Sequence, residues 1–249
     1  MGQAPSSRGE RWRVRRFDSI DSTNRWLLDE ARTGAPEGLV AVADHQTDGR
    51  GRRERTWTAP PGSSLLVSVL LRPVIDAASM HVLTMATALA LRAAIADATG
   101  VTAGIKWPND LVVGDRKLAG VLTEADVAAN GEVLAVVIGV GCNVQWGDFP
   151  PELADHATAC NLECGHLVDR AVILDAFLDQ LGVILDDLGS VLDAYRSASA
   201  TLGREVRVDL GTRWVEGFAD DVDERGQLRI TRDDGEREVV AVGDVVHLR

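Results

Sequence analysis

Between Ser197 and Leu202 the chain changes texture, and that change governs how it divides. Upstream, Ala77 to Thr99 carries alanine, leucine and methionine at helical spacing, and Val168 to Leu188 returns to apolar residues every three or four positions. Both are patterns of helices buried along one face. Downstream there are only short β-like runs, Glu205 to Val208, Leu228 to Thr231 and Val239 to Val242, separated by Gly211, Gly226 and Gly235. The expected architecture is an α+β domain over residues 1–200 followed by a small all-β barrel over residues 201–249.

Within the first part, Trp12 to Phe17, Gly38 to Ala43, Ser64 to Arg72, Gly104 to Trp107, Lys117 to Glu124 and Glu132 to Val140 read as strands. Turn chemistry at Gly114-Asp115 and Asn130-Gly131 predicts antiparallel hairpins. Asp21-Ser22-Thr23-Asn24 ahead of Arg25-Trp26-Leu27-Leu28 predicts a helix with a hydroxyl cap, ending near Gly34. His45 to Gly62 is polar, glycine-rich and long for a structureless loop, which marks it as a functional one.

Composition limits the partners. A net charge of −12 repels nucleic acid over most of the surface, with basic islands at Arg8 to Arg16 and at Arg50, Arg52, Arg53 and Arg55. Apolar stretches such as Ser64 to Leu71 fall short of the ~18 residues of a membrane span. The N-terminus lacks the apolar core of a secretory signal. Cys142, Cys160 and Cys164 make no disulfide framework, so buried reduced thiols and a cytoplasmic location are expected. His156, Cys160, Cys164 and His166 raise a zinc alternative, but paired ligand spacings are missing and Cys160-Asn161-Leu162 reads equally well as a strand edge.

Three segments carry chemistry. Gln46 to Trp57 packs four arginines among glycines, which let the backbone approach a ligand while guanidinium forks match phosphate oxygens. On composition alone a solvated charged loop is the commoner reading. Lys106-Trp107-Pro108-Asn109-Asp110 combines a cation, an aromatic face and oxygen-bearing side chains suited to a nucleotide, and an aspartate with phosphates is a usual magnesium set. Lys117 to Leu122 starts a strand with a lysine and brings the backbone close at Gly120.

Asp21 to Asn24, the Gly49 to Arg53 loop, Lys106 to Asp110, Lys117 to Leu122 and Gly139 to Val144 together resemble the successive motifs of biotin protein ligases, from about Phe17 onward. Gly243-Asp244-Val245-Val246 resembles the end of that family's SH3-like C-terminal domain. The resemblance implies a mixed sheet with flanking helices, like that of class II aminoacyl-tRNA synthetases and biotin ligases, carrying the catalytic machinery, plus a small C-terminal SH3-like β-barrel. It implies activation of biotin by ATP and magnesium to biotinyl-5′-adenylate, then transfer to a lysine of a biotin carboxyl carrier domain. Lys117 and Arg52 are the implied catalytic residues. Ser22, Thr23, Asn24, Gln46, Arg50, Gly51, Arg52, Lys117 and Gly120 are implied to bind biotin. Arg55, Trp57, Lys106, Asn109 and Asn143 are implied on the ATP side, with Asp110 positioning magnesium.

One departure stands out: Glu54 occupies a position where the family pattern has glycine, and it is expected to pair with Arg53 or Arg55. The related lipoate ligases and octanoyl transferases are the alternative enzymes, disfavoured by the Gly-Arg loop and the Lys106 to Asp110 segment. A DNA-binding repressor needs a helix-turn-helix domain ahead of Phe17, where fewer than twenty residues stand, so no DNA partner is expected. The resemblance allows a monomer or a homodimer.

Overall fold

The computed structural model describes residues 11–248; Arg8 of the first basic island and Arg249 lie outside them. The first part contains β1 (Arg13–Phe17), α1 (Thr23–Arg32), β2 (Leu39–Ala43), β3 (Ser64–Leu71), α2 (Met80–Thr99), β4 (Gly104–Lys106), β5 (Asp110–Val113), β6 (Arg116–Val127) and β7 (Val133–Asn143). Four helices follow: α3 (Pro151–Ala154), α4 (Cys160–Cys164), α5 (Arg170–Asp186) and α6 (Val191–Ala198). The second part contains β8 (Glu205–Asp209), β9 (Trp214–Val222), β10 (Leu228–Thr231), β11 (Arg237–Val240) and β12 (Asp244–His247).

Seven strands form a mixed sheet in the order β1-β2-β3-β7-β6-β5-β4, in which β1 and β2 are parallel and the remaining pairs antiparallel. Side-chain alternation along β7 sorts its two faces. Val136, Ile138, Val140 and Cys142 enter the large core with α2 and α5, whereas Ala135 and Val137 pack with Leu27, Leu28 and Ala31 of α1. Continuing the second series past Val137 reaches Gly139 and Gly141, where the sheet loses its side chains just beyond the start of α1. The same face of β3 carries Ser68 and that of β6 carries Gly120, Leu122 and Glu124, in register with β7 through Ser68↔Gly139, Gly120↔Gly141 and Leu122↔Gly139.

The predicted helix over Ala77 to Thr99 starts with a separate tight turn at Ala77–Ser79, capped by Asp76, before α2 proper. This 23-residue stretch is long and apolar enough to cross a bilayer by composition, contrary to the expectation that no stretch reaches that length; half of it is buried inside the protein against the sheet and α5. Other elements differ from expectation. β5, α6, β9 and β12 were not foreseen, and Cys160 to Cys164 is a short helix, not a strand edge. The last barrel run is shifted to Arg237–Val240.

Strands β8 to β12 form a separate five-stranded antiparallel sheet in the order β11-β10-β9-β8-β12. It is docked on the first part through the Trp107 indole N–H, which donates to Gly226 O at 2.9 Å, and through His247, whose ring nitrogen lies 3.0 Å from Asp115.

Candidate functional site

The bare stretch of sheet is the floor of a cavity of about 130 Å³. A Cβ on Gly139 would lie 2.3 Å from Asn24 Oδ1, and one on Gly141 would lie 2.5 Å from the Trp57 indole. Glycine is therefore what lets these two side chains lie on the strands. Gly120, the register partner of Gly141, is similarly covered by Lys117 and Asp110.

At the α1 end, Ser22 caps the helix by accepting from the Arg25 N–H, as the sequence predicts. Thr23 donates both its backbone N–H and its hydroxyl to Gln46 Oε1, at 2.8 and 3.0 Å. Ser68 Oγ lies 2.7 Å from Thr23 Oγ1 and donates to Asn24 Oδ1 at 2.6 Å. Asn24 in turn donates to Glu124 at 2.8 Å, and the other carboxylate oxygen of Glu124 holds Arg50 at 3.0 Å. This end is a continuous chain of uncharged donors and acceptors that finishes in an ion pair, a surface suited to a polar head group.

The opposite end is cationic. Lys117 Nζ lies 2.7 Å from Asp110 Oδ1 as an ion pair and 5.5 Å from the Trp57 ring centre. Arg52 donates to Asn109 Oδ1 at 3.0 Å, while Asn109 is itself pinned by its amide to Val121 O at 2.6 Å. Burial pulls the Arg52 guanidinium below its usual pKa, and the Asp244 carboxylate opposes that shift most strongly. The Lys117 backbone is clasped by the segment 156–158: its N–H donates to His156 O at 2.7 Å and its carbonyl accepts from Thr158 at 2.9 Å.

The arginine loop folds back on itself through Gly51 N–H to Arg55 O and Trp57 N–H to Gly49 O. Its turn places two consecutive non-glycine residues in the left-handed region, Arg53 at φ 54° and Glu54 at φ 60°. That conformation accounts for glycine in the pattern at position 54. The expected pairing of Glu54 with its neighbours is not found: Arg53 and Arg55 both turn to Asp244 of β12, and among the described residues Glu54 makes no ion pair.

Of the residues singled out from sequence, Ser22, Thr23, Asn24, Gln46, Arg50, Gly51, Arg52, Arg55, Trp57, Asn109, Asp110, Lys117 and Gly120 line this one cavity. Lys106 and Asn143 do not. Lys106 is the register partner of Asp110, half-buried, and burial lowers its pKa. Asn143 is buried, donates to Thr158 O at 3.0 Å and accepts from the Ser64 hydroxyl at 3.4 Å. Sequence reading missed Ser68, Glu124 and Asp244. Ser68 is a hydroxyl set in the middle of an otherwise apolar run from Leu65 to Leu71, which is the only signal it offers.

The zinc alternative finds no support in the geometry: among the described residues no group of three or more His, Cys, Asp or Glu is placed to hold a metal. Cys160 meets Cys142 in the core, and the Cys142 thiol is pushed up by its hydrogen bond with Cys160 and then by burial.

The biotin/lipoate A/B protein ligase family model matches residues 16–143, and the biotin protein ligase C-terminal domain model matches residues 201–248. The chain belongs to the biotin/lipoate A/B protein ligase family. Among relatives in this family, the biotin--[acetyl-CoA-carboxylase] ligase of Mycobacterium tuberculosis is 38% identical over 92% of this chain and 86% of its own. The bifunctional ligase/repressor BirA of Bacillus subtilis is 40% identical over 65% of this chain and 50% of its own, so the match spans about half the length of that relative. The structure of the Aquifex aeolicus biotin protein ligase in complex with biotin and ATP superposes with a TM-score of 0.81 at 26% identity, covering 95% of this chain and 98% of that one. The mixed sheet with flanking helices and the C-terminal antiparallel sheet are thus the ligase fold anticipated from sequence.

Proposed function

We propose that the chain is an ATP-dependent biotin protein ligase. The biotin carboxylate attacks the α-phosphorus of ATP, pyrophosphate leaves, and biotinyl-5′-adenylate forms. The ε-amine of a lysine in a biotin carboxyl carrier domain then attacks the mixed anhydride and AMP leaves. The observation that carries this reading is the polarity of one cavity: uncharged Thr23, Asn24 and Gln46 at one end of a glycine floor, Lys117 and Arg52 at the other. The names of the Mycobacterium and Aquifex relatives support biotin as the acid.

In this reading Ser22, Thr23, Asn24 and Gln46 take the biotin head, and Gly120 and Gly51 let backbone approach its chain. Lys117 and Arg52 neutralise the carboxylate and α-phosphate as charge builds, which requires cations already in place. Arg50 closes the head-group end, and Arg55, Trp57 and Asn109 border the nucleotide side. Lys106 adds positive charge behind Asp110. No protein nucleophile takes part, and the loop keeps water from the anhydride. A single aspartate, Asp110, is a fitting donor set for magnesium held chiefly by phosphates, where the ion would offset the charge of the departing pyrophosphate. The reading extends to a cytoplasmic monomer or homodimer with no DNA or membrane partner.

The test is a reaction of the full chain with ATP, magnesium, biotin and a carboxyl carrier domain, read by mass spectrometry. The acceptor should gain one biotinyl group. No gain with biotin, but a gain with lipoate or octanoate, would move the chain to the other branch of its family.

A further inference from the structure

We infer that Asp244, supplied by the small domain, is a positioning residue that anchors the arginine loop over the cavity. Arg53 and Arg55 converge on the same carboxylate oxygen of Asp244, the former at 3.0 Å. Arg53 also donates to Asp209 O at 3.2 Å, and it lies so close to Gly211 that a Cβ there would come within 2.7 Å of its guanidinium. The loop therefore reaches across to β8 and β12.

Strain gives this anchoring its importance. Consecutive left-handed conformations at Arg53 and Glu54 cost energy that neighbouring contacts must offset. Within the loop the backbone bonds Gly51 N–H to Arg55 O, Arg55 N–H to Arg52 O and Trp57 N–H to Gly49 O hold the turn. The remaining tether is charge, and it comes from outside: three arginines repel one another, and the side chain of Asp244, only 24% exposed, is the common counter-charge that faces them. With Arg53 and Arg55 drawn to the small domain, Arg50 and Arg52 are left facing inward, held by Glu124 and Asn109. Asp244 thus draws Arg53 and Arg55 to the small domain and leaves Arg50 and Arg52 to partners on the other side of the cavity.

This rests on the ligase reading for its ligand but not for its geometry, so the experiment has an arm for each. Hydrogen exchange of the ligand-free full chain should show Gly51 to Trp57 losing at least about tenfold in protection in Asp244→Asn, with protection restored in Asp244→Glu. Exchange in β9 and β10 should stay as in wild type. Should Asp244→Asn unfold the small domain, Arg53→Gln/Arg55→Gln, which leaves β12 untouched, must give the same loss. Added biotinyl-adenylate should leave Asp244→Asn at least about tenfold faster than wild type, since an untethered loop opens more often. Unchanged loop protection in both variants overturns the inference. Slower adenylate release also overturns it, because Asp244 would then be competing with the phosphate for the arginines. If wild type binds no adenylate, the ligase reading fails while the exchange arm still decides the anchor.

Discussion

Lys117 Nζ stands 2.7 Å from Asp110 Oδ1, directly above the side-chain-free surface of Gly120. The ammonium is already fixed where negative charge is proposed to build, so its removal acts on the transition state rather than on the fold. Lys117→Ala should lower adenylate formation by about 100-fold or more, equivalent to about 2.7 kcal/mol. Its side chain is 39% exposed, and pairs that open to solvent add little stability, so the melting temperature should hardly move. A rate equal to wild type in a pyrophosphate-release assay removes Lys117 from the site.

Gly139→Ala tests the floor. The new methyl would meet Asn24 Oδ1 at 2.3 Å, and Asn24 cannot retreat without breaking its bonds to Ser68 and Glu124. Biotin affinity measured by calorimetry should fall by about tenfold or more, a loss of ~1.4 kcal/mol. Undiminished affinity would show that Asn24 does not shape the head-group end.

Glu54→Gly should stabilise the protein. Glu54 sits at φ 60° without an ion pair among the described residues, so glycine relieves strain of about 1–2 kcal/mol, less its own added chain entropy of about 0.5–1 kcal/mol. A rise of roughly 2 °C in melting temperature is expected for a chain of this size. A fall would mean that the carboxylate itself holds the loop.

Asn143→Ala separates a contact with ATP from a supporting role. The side chain is 5% exposed and spends both polar ends on Thr158 and Ser64. Its loss should cost about 1–3 kcal/mol in urea unfolding. Because Thr158 accompanies His156 in clasping the Lys117 backbone, kcat should drop while KM for ATP stays within about twofold. A large rise in KM with stability intact favours direct contact.

Much of this was legible because periodicity and turn chemistry report burial directly. β3 is mostly apolar, buried along its whole length and lies inside the sheet, and the Gly114 and Asn130 turns do close antiparallel pairs. β9 was hidden because its alternation is inverted: Val215, Gly217 and Ala219 point inward while Trp214 and Phe218 are exposed, so the larger residues mark the wrong face. β5 is four residues long and begins inside a segment that reads as a turn and metal motif. Most of the cavity was recoverable as motifs. Asp244 and Glu124 were not, since each acts on an arginine distant in sequence, 189 and 74 positions from Arg55 and Arg50 by subtraction of residue numbers, and one sequence does not disclose such pairing.

The docking of Trp107 on Gly226 has an optical consequence. This indole is 2% exposed and its N–H is committed to a carbonyl of the small domain. It should emit at short wavelength and resist aqueous quenchers, and any separation of the two sheets should move its emission to the red. With the other five tryptophans replaced by phenylalanine, the chain would carry a built-in fluorescent gauge of its own seam, placed on the turn after β4 that runs into Asn109 and Asp110.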